Sequence, residues 1–266
     1  MSVGRRAVVT AGAGLALALA GAPAAQALGR PRTRTLFIAG DSTAAQKYAD
    51  AAPETGWGMA LPFFLQRGIE VANHAVNGRS TKSFLDEGRL EPILAAACPG
   101  DLLLIQFGHN DGKAADPTRY TEPWTTYQDN LRVFVEGARS RGALPVLATS
   151  VERRKFAADG TALRTHGAYP AAMREAAAAS GVPLLDIEAL SLALWQQLGP
   201  EVTKTYFNWT ATEQDNTHFN PPGAIEVARL VAAELLRTHV LAPCETRRLD
   251  DAIPTDRITW PVSEES

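Results

Sequence analysis

The sequence predicts an α/β fold, with a parallel sheet covered by helices on both faces. Three observations predict it. Apolar runs of strand length alternate with stretches of helical periodicity, the pattern of strands joined by crossover helices. Leu102-Leu103-Leu104-Ile105 is apolar at every position, as a strand buried on both faces must be. No second core is visible in the 266 residues, so the chain reads as one domain, long enough to bury a substantial interior.

The elements follow in order. The first strand, Leu36 to Ala39, runs straight into Gly40-Asp41-Ser42-Thr43. A polar loop leads to Gly58 and a helical stretch, Met59 to Arg67, whose start Pro62 places late. Ile69 to Ala75 alternates like a second strand and enters Val76-Asn77-Gly78-Arg79-Ser80-Thr81. Ser80 or Thr81 suits the cap of a helical region from Lys82 to Ala97, which Pro99-Gly100 breaks. Asp101 to Phe107 is the third strand and ends in Gly108-His109-Asn110-Asp111. A polar loop containing Trp124 precedes a helix from about Tyr127 to Arg141, with Leu131, Phe134, Val135 and Ala138 on one face. Ala143 to Ser150 is the fourth strand, and Arg153-Arg154-Lys155 follow it in a loop. A helix from Tyr169 to Ser180 ends at Gly181, and Val182 to Ile187 is the fifth strand. Glu188 to Leu198 is helical, 199–222 reads as a loop, and Ala224 to His239 is the last helix. The Pro- and charge-rich tail, 241–266, reads as an ordered or half-ordered strap.

Residues 1–27 are set apart from the domain, 28–240. Arg5-Arg6, an Ala- and Leu-rich stretch from Ala7 to Ala22, and Ala25-Gln26-Ala27 have the three-part layout of a secretory signal. The paired arginines and the modest hydrophobicity resemble a twin-arginine leader, so the expectation is a secreted protein with no stable membrane association after cleavage. The net charge is −3, with no long basic run in the domain, which argues against nucleic acid as a partner. Cys98 and Cys244 are left to pair or stay free in an exported chain. Neither sits at metal-ligand spacing, so no metal and no cofactor is expected.

In an open parallel sheet, ligands bind beyond the carboxyl ends of the strands. Ser42, Gly78 and Asn110 all follow such ends. A serine hydroxyl attacks an ester only when a base takes its proton. Asp215-Asn216-Thr217-His218 places a carboxylate three residues from an imidazole, before the last helix. In a turn, that spacing lets Asp215 hold Nδ1–H and leaves Nε2 for the serine proton. The same pattern also suits a helix-entry cap. Donors for the developing oxyanion are available from the Ser42 N–H, the Gly78 N–H and the Asn110 amide.

Together, Gly40-Asp41-Ser42-Thr43, Gly78-Arg79-Ser80, Gly108-His109-Asn110-Asp111 and Asp215-x-Thr217-His218-Phe219 resemble the blocks of the SGNH (GDSL-type) hydrolase superfamily, rhamnogalacturonan acetylesterase branch. Gly56-Trp57-Gly58 and the loop Arg153-Arg154-Lys155-Phe156 extend the resemblance, which spans about Leu36 to His239. Met59 departs from it, since many relatives carry Gln there. The resemblance implies a three-layer α/β/α flavodoxin-like fold with a five-stranded parallel sheet, and metal-free removal of acetyl groups from pectic polysaccharide. It implies Ser42 as nucleophile, Asp215 and His218 as the rest of the triad, and Gly78 and Asn110 in the oxyanion hole.

Substrate contacts are expected from Arg79, toward acidic sugars, from Trp57 and Trp209, by stacking, and from His109; Arg153, Arg154 and Lys155 could also attract uronic carboxylates or simply be solvated surface charge. The substrate is then an acetylated polysaccharide or oligosaccharide, and the protein a monomer. Two other functions stand beside this one: a lipase or thioesterase of the same superfamily, and a non-catalytic carbohydrate-binding protein. The first would need an apolar acyl groove. The second has no need of Ser42, Asp215 and His218 together.

Overall fold

The computed structural model describes residues 1, 2, 4 and 33–263. Arg34–Gly40 (β1), Ile69–Asn73 (β2), Leu102–Gln106 (β3), Leu144–Ala148 (β4) and Leu184–Leu185 (β5) form one parallel sheet. Their order is β2-β1-β3-β4-β5, so the chain crosses to one side of β1 for β2 and to the other for β3. That reversal opens a crevice beyond the ends of β1 and β3, where ligands bind in such sheets.

Alternation along the strands divides the core into two layers. Leu36, Ile38, Leu102 and Leu104 pack with Trp57–Ala60 (α1), Ile187–Lys204 (α6) and Pro221–Arg237 (α7). Phe37, Ala39, Leu103 and Ile105 pack with Thr81–Asp86 (α2), Leu90–Ala96 (α3), Gln128–Ser140 (α4) and Tyr169–Ser180 (α5). The fold is therefore the expected three-layer α/β/α sandwich. Leu131, Phe134, Val135 and Ala138 are all buried on α4, as their spacing requires. Among the described residues no helix is long and apolar enough to cross a membrane.

Several elements differ from the sequence reading. The region 82–97 is two helices, because Gly88 takes a left-handed conformation (φ +67°) between them. Ser80, not Thr81, caps the first: its hydroxyl accepts from Ser83 N–H, and Ser83 Oγ accepts from Ser80 N–H. In 59–67 one α-turn passes into a 3-10 turn, Leu61–Phe64, with Pro62 in its first turn, and Leu65 then bridges to Thr246. The fifth strand keeps only two ladder residues. The stretch expected as a loop, 199–222, holds the end of α6, kinked at Gly199-Pro200, and an antiparallel pair, Phe207–Trp209 (β6) and Gln214–Phe219 (β7). Polar residues fill most of β7, so no apolar alternation announced it.

The tail is an ordered strap. Gln66 N–H donates to Glu245 O and Arg247 N–H to Phe64 O, each at 2.9 Å, while Ile253 and Ile258 are buried. Trp260 Nε1 donates to Glu54 O at 2.8 Å, which ties the strap to the loop after β1. Cys98 and Cys244 are exposed and unpaired, so the pairing left open above does not form. Apart from positions 1, 2 and 4, the export leader read in residues 1–27 lies outside the described residues.

Gly223 fixes how α7 meets the hairpin. A Cβ there would stand 1.8 Å from Tyr206 O. Gly223→Ala must push backbone apart and is expected to cost about 1–3 kcal/mol, the range for overpacking. Urea unfolding checks it; an unchanged midpoint would mean that α7 and the hairpin separate freely.

Candidate active site

Ser42 lies just past the end of β1. Asp41, fully buried, shapes this turn: its Oδ1 accepts from Thr43 N–H at 2.9 Å and Thr43 Oγ1 at 2.8 Å, and its carbonyl accepts from Ala44 and Ala45 N–H. Burial pushes the Asp41 carboxyl up, but the His109 ring and the Thr43 donors outweigh it and hold it at about 2. The turn is thus pinned by an ionised group that leaves the neighbouring Ser42 hydroxyl free for chemistry.

His218 and Asp215 come from β7. Residues i and i+3 of a regular strand point to opposite faces. Here Phe207 pairs with Phe219 and Trp209 with Gln214, so Asn208 alone faces the whole stretch Asp215 to His218. The ladder is interrupted by a bulge. Asp215 Oδ1 closes it, accepting from Thr217 N–H at 2.6 Å and His218 N–H at 3.1 Å. The other oxygen, Oδ2, lies 2.6 Å from His218 Nδ1, and His218 Nε2 lies 2.9 Å from Ser42 Oγ. The three predicted triad residues are thus in hydrogen-bonded sequence.

Burial pulls the His218 imidazole down, but the hydrogen bond and charge of Asp215, with the charge of Glu54, outweigh it and raise its pKa above the ordinary 6.5. Burial likewise pushes the Asp215 carboxyl up, yet the His218 ring and the two backbone donors hold it below the ordinary carboxylate value. Asp215 is therefore ionised when His218 must carry a proton.

The oxyanion donors converge on the same cleft, about 430 Å³, which Ser42, Gly78, Asn110 and His218 help to line. Among the described residues neither the Ser42 nor the Gly78 N–H has an acceptor. Gly78 has φ +75°, a conformation that side-chain-bearing residues resist. Asn110 Nδ2 gives one hydrogen to Arg79 O at 3.0 Å, leaving the other for a ligand. Asp111 Oδ1 accepts from Thr81 N–H at 3.0 Å, which locks the Asn110 loop to the start of α2 and so to the Gly78 turn. Asn110→Ala is expected to lower kcat about 10²–10³-fold with little change in KM, the usual loss of one preorganised donor. Steady-state hydrolysis of 4-nitrophenyl acetate checks this; an unchanged kcat removes Asn110 from the oxyanion site.

The expected sugar contacts fare unevenly. His109 lines the cleft; it is 5% exposed, its Nδ1 is 3.2 Å from Asp41 Oδ2, and its buried Nε2 has no partner. Trp57 must be corrected: it is 1% exposed and its Nε1 donates to Gln106 Oε1 at 3.1 Å, so it is core and offers no stacking face. Trp209 is half-buried and does not line the cleft; Arg154 and Lys204 lie over its ring, at 4.8 and 5.4 Å. Arg79 lines an adjoining cleft that shares Gly78, but its Nε donates to Glu87 Oε2 at 2.9 Å.

The sequence reading missed a buried ion pair beside the site. Lys47, 1% exposed, places Nζ 2.6 Å from Glu54 Oε1 and 2.6 Å from Asn77 Oδ1, so it holds the residue before Gly78. No local pattern signals it, because both partners are reached through the fold. It also missed Lys113 as a cleft-lining group, whereas Arg153, offered above for acidic sugars, does line the cleft. The position of Lys113 after β3, at the carboxyl edge of the sheet, was the available clue.

A family model described as GDSL-like lipase/acylhydrolase matches residues 38–224. The rhamnogalacturonan acetylesterase RhgT of Bacillus subtilis is 43% identical over 206 residues, which cover 74% of this chain and 87% of that protein. The rhamnogalacturonan acetylesterase of Emericella nidulans is 26% identical over 73% of this chain and 82% of its own length. Among solved structures, that of Bacillus subtilis YxiM superposes with a TM-score of 0.70 at 29% identity, over 78% of this chain. The match spans 57% of the YxiM chain.

Proposed function

We propose that this chain, which belongs to the GDSL-like lipase/acylhydrolase family, removes O-acetyl groups from rhamnogalacturonan through an acyl-enzyme on Ser42. It is a carboxylic ester hydrolase, and one observation carries the reading: Ser42, His218 and Asp215 stand in bonded sequence beside a cleft whose lining side chains are all polar or absent. A groove for a long acyl chain would be apolar, so a lipase or thioesterase finds no support here. A non-catalytic binder has no use for a serine whose hydroxyl meets a carboxylate-held imidazole.

The reaction follows from the distances. Ser42 Oγ gives its proton to His218 Nε2 and bonds to the acetyl carbonyl carbon. The carbonyl oxygen becomes an oxyanion held by the N–H groups of Ser42 and Gly78 and by Asn110 Nδ2. Asp215 stabilises the imidazolium formed. The proton then passes from Nε2 to the sugar oxygen as the C–O bond breaks, leaving acetyl on Ser42. Water, deprotonated by the same nitrogen, repeats the addition, and acetate leaves as Ser42 recovers its proton.

The polymer reading is supported by RhgT and by clefts that adjoin the triad cleft through Gly78 and Asn77, as a chain-like substrate requires. The Arg5-Arg6 leader supports export by the twin-arginine route and action outside the cell, without stable membrane attachment. The enzyme is read as a monomer, since the triad and its oxyanion donors all come from one chain. Acetate release from acetylated rhamnogalacturonan, acetylxylan and 4-nitrophenyl esters of increasing acyl length tests the activity. Acetylated rhamnogalacturonan should be the best substrate; a preference for long acyl chains would overturn the reading.

A further inference from the structure

Three charged side chains besides the triad line the catalytic cleft: Glu54, Lys113 and Arg153. Glu54 is neutralised by Lys47, 2.6 Å away. Among the described residues, Lys113 and Arg153 make no ion pair. Their neighbours differ: Arg79 is paired with Glu87, and Arg119 with Asp116. The cleft thus presents two cations and no free anion to whatever enters it.

Arg153 is held in place without being neutralised. Its Nη1 contacts Thr165 O at 3.3 Å and Thr165 Oγ1 at 3.4 Å, and its Nη2 donates to His109 O at 3.2 Å. All three acceptors are uncharged. Burial lowers the pKa of the Arg153 guanidinium and outweighs the pull of Asp41 and Glu152 from a distance, so an anion in direct contact would stabilise it. Burial lowers the pKa of the Lys113 ammonium, and the charges of Arg119 and Arg153 lower it further against the smaller opposite pull of Asp116 and Asp41, so these cations feel one another. Repulsion of this kind is relieved when an anion binds between like charges.

Both cations are tied to the oxyanion loop. Lys113 N–H donates to Asn110 O at 3.1 Å, and Arg153 bonds the carbonyl of His109, the residue before Asn110. An anion held by them therefore sits beside the acetyl carbonyl, on the polymer being deacetylated. We infer that Lys113 and Arg153 form a carboxylate subsite next to the oxyanion hole, which takes a uronate of the acetylated polysaccharide. The inference rests on the polysaccharide reading above. It moves the recognition of acidic sugar from Arg79, already committed to Glu87, to the loops that follow β3 and β4. The Arg153 fork suits a planar carboxylate, and Lys113 adds a point charge.

The test separates binding from turnover. Ser42→Ala protein is titrated calorimetrically with a de-acetylated rhamnogalacturonan oligosaccharide and with the same oligosaccharide after its carboxylates are reduced to alcohols. The native oligosaccharide should bind about tenfold tighter, the scale of one charge-assisted contact. Adding Lys113→Gln should remove most of that advantage; Lys113 is exposed, so the fold tolerates the change. The advantage should also shrink as salt rises. Equal affinity for the two oligosaccharides, or an advantage that survives Lys113→Gln intact, overturns the subsite. The deacetylation reading fails by a different result: wild-type enzyme that releases no acetate from acetylated rhamnogalacturonan, whatever the oligosaccharides do.

Discussion

Ser42→Ala is expected to lower kcat by about 10⁶-fold, the loss seen when a triad nucleophile is removed. In the proposed reaction Ser42 Oγ forms the bond to the acyl group, and among the described residues no other hydroxyl is hydrogen-bonded to His218 Nε2. Among the described residues the contact at 2.9 Å is the one side-chain hydrogen bond of Ser42, so its removal leaves only an imidazole nitrogen that borders the open cleft. Stability should therefore change by no more than about 0.5 kcal/mol, as for a surface substitution. What remains should be a slow hydrolysis, about 10³–10⁴ above the rate in water, due to the oxyanion donors and substrate binding. Acetate release measured beside a thermal melt checks both halves. Activity within tenfold of wild type would remove Ser42 as nucleophile.

Asp215→Asn should cost about 10⁴-fold in kcat while leaving the bulge intact. An asparagine oxygen can still accept from Thr217 and His218 N–H, the bonds that close the bulge. Its amide nitrogen, however, would face His218 Nδ1 with hydrogens. The ring must then carry its proton on Nε2, which would point at Ser42 Oγ and could not receive a proton from it. The pH profile should move as well. In the wild type, burial lowers the His218 pKa, but Asp215 more than reverses this and raises it above 6.5. The base form is the unprotonated one, so kcat/KM rises with pH through that raised value. Without the carboxylate the pKa falls, and the acid limb shifts to lower pH. A limb that stays in place or moves to higher pH would show that Asp215 does not set the charge of His218.

Much of this was legible in the chain because it is local. Gly-Asp-Ser follows a strand by one turn, and Asp215 and His218 are three residues apart. The fold class was legible because apolar or alternating runs of strand length recur and the helices between them have one apolar face. The β6–β7 pair was not, because residues that carry chemistry replace the alternation that would mark a strand. The failure of Trp57 has the same root. Gly56-Trp57-Gly58 reads as loop at the end of a polar stretch, yet its indole finds Gln106 on β3, far along the sequence.

The sequence by itself determined the sandwich and pointed to the proposed nucleophile, its proposed base and carboxylate, and the two loops proposed to supply oxyanion donors. Each depends on periodicity or on residues close together in the chain. The tertiary structure alone decided which charged and aromatic groups face the cleft. It buried Trp57, gave Arg79 to Glu87 and Glu54 to Lys47, and left Lys113 and Arg153 without an ion pair among the described residues. The reason is physical: whether a cation is neutralised or a ring is covered depends on partners that only folding brings within reach.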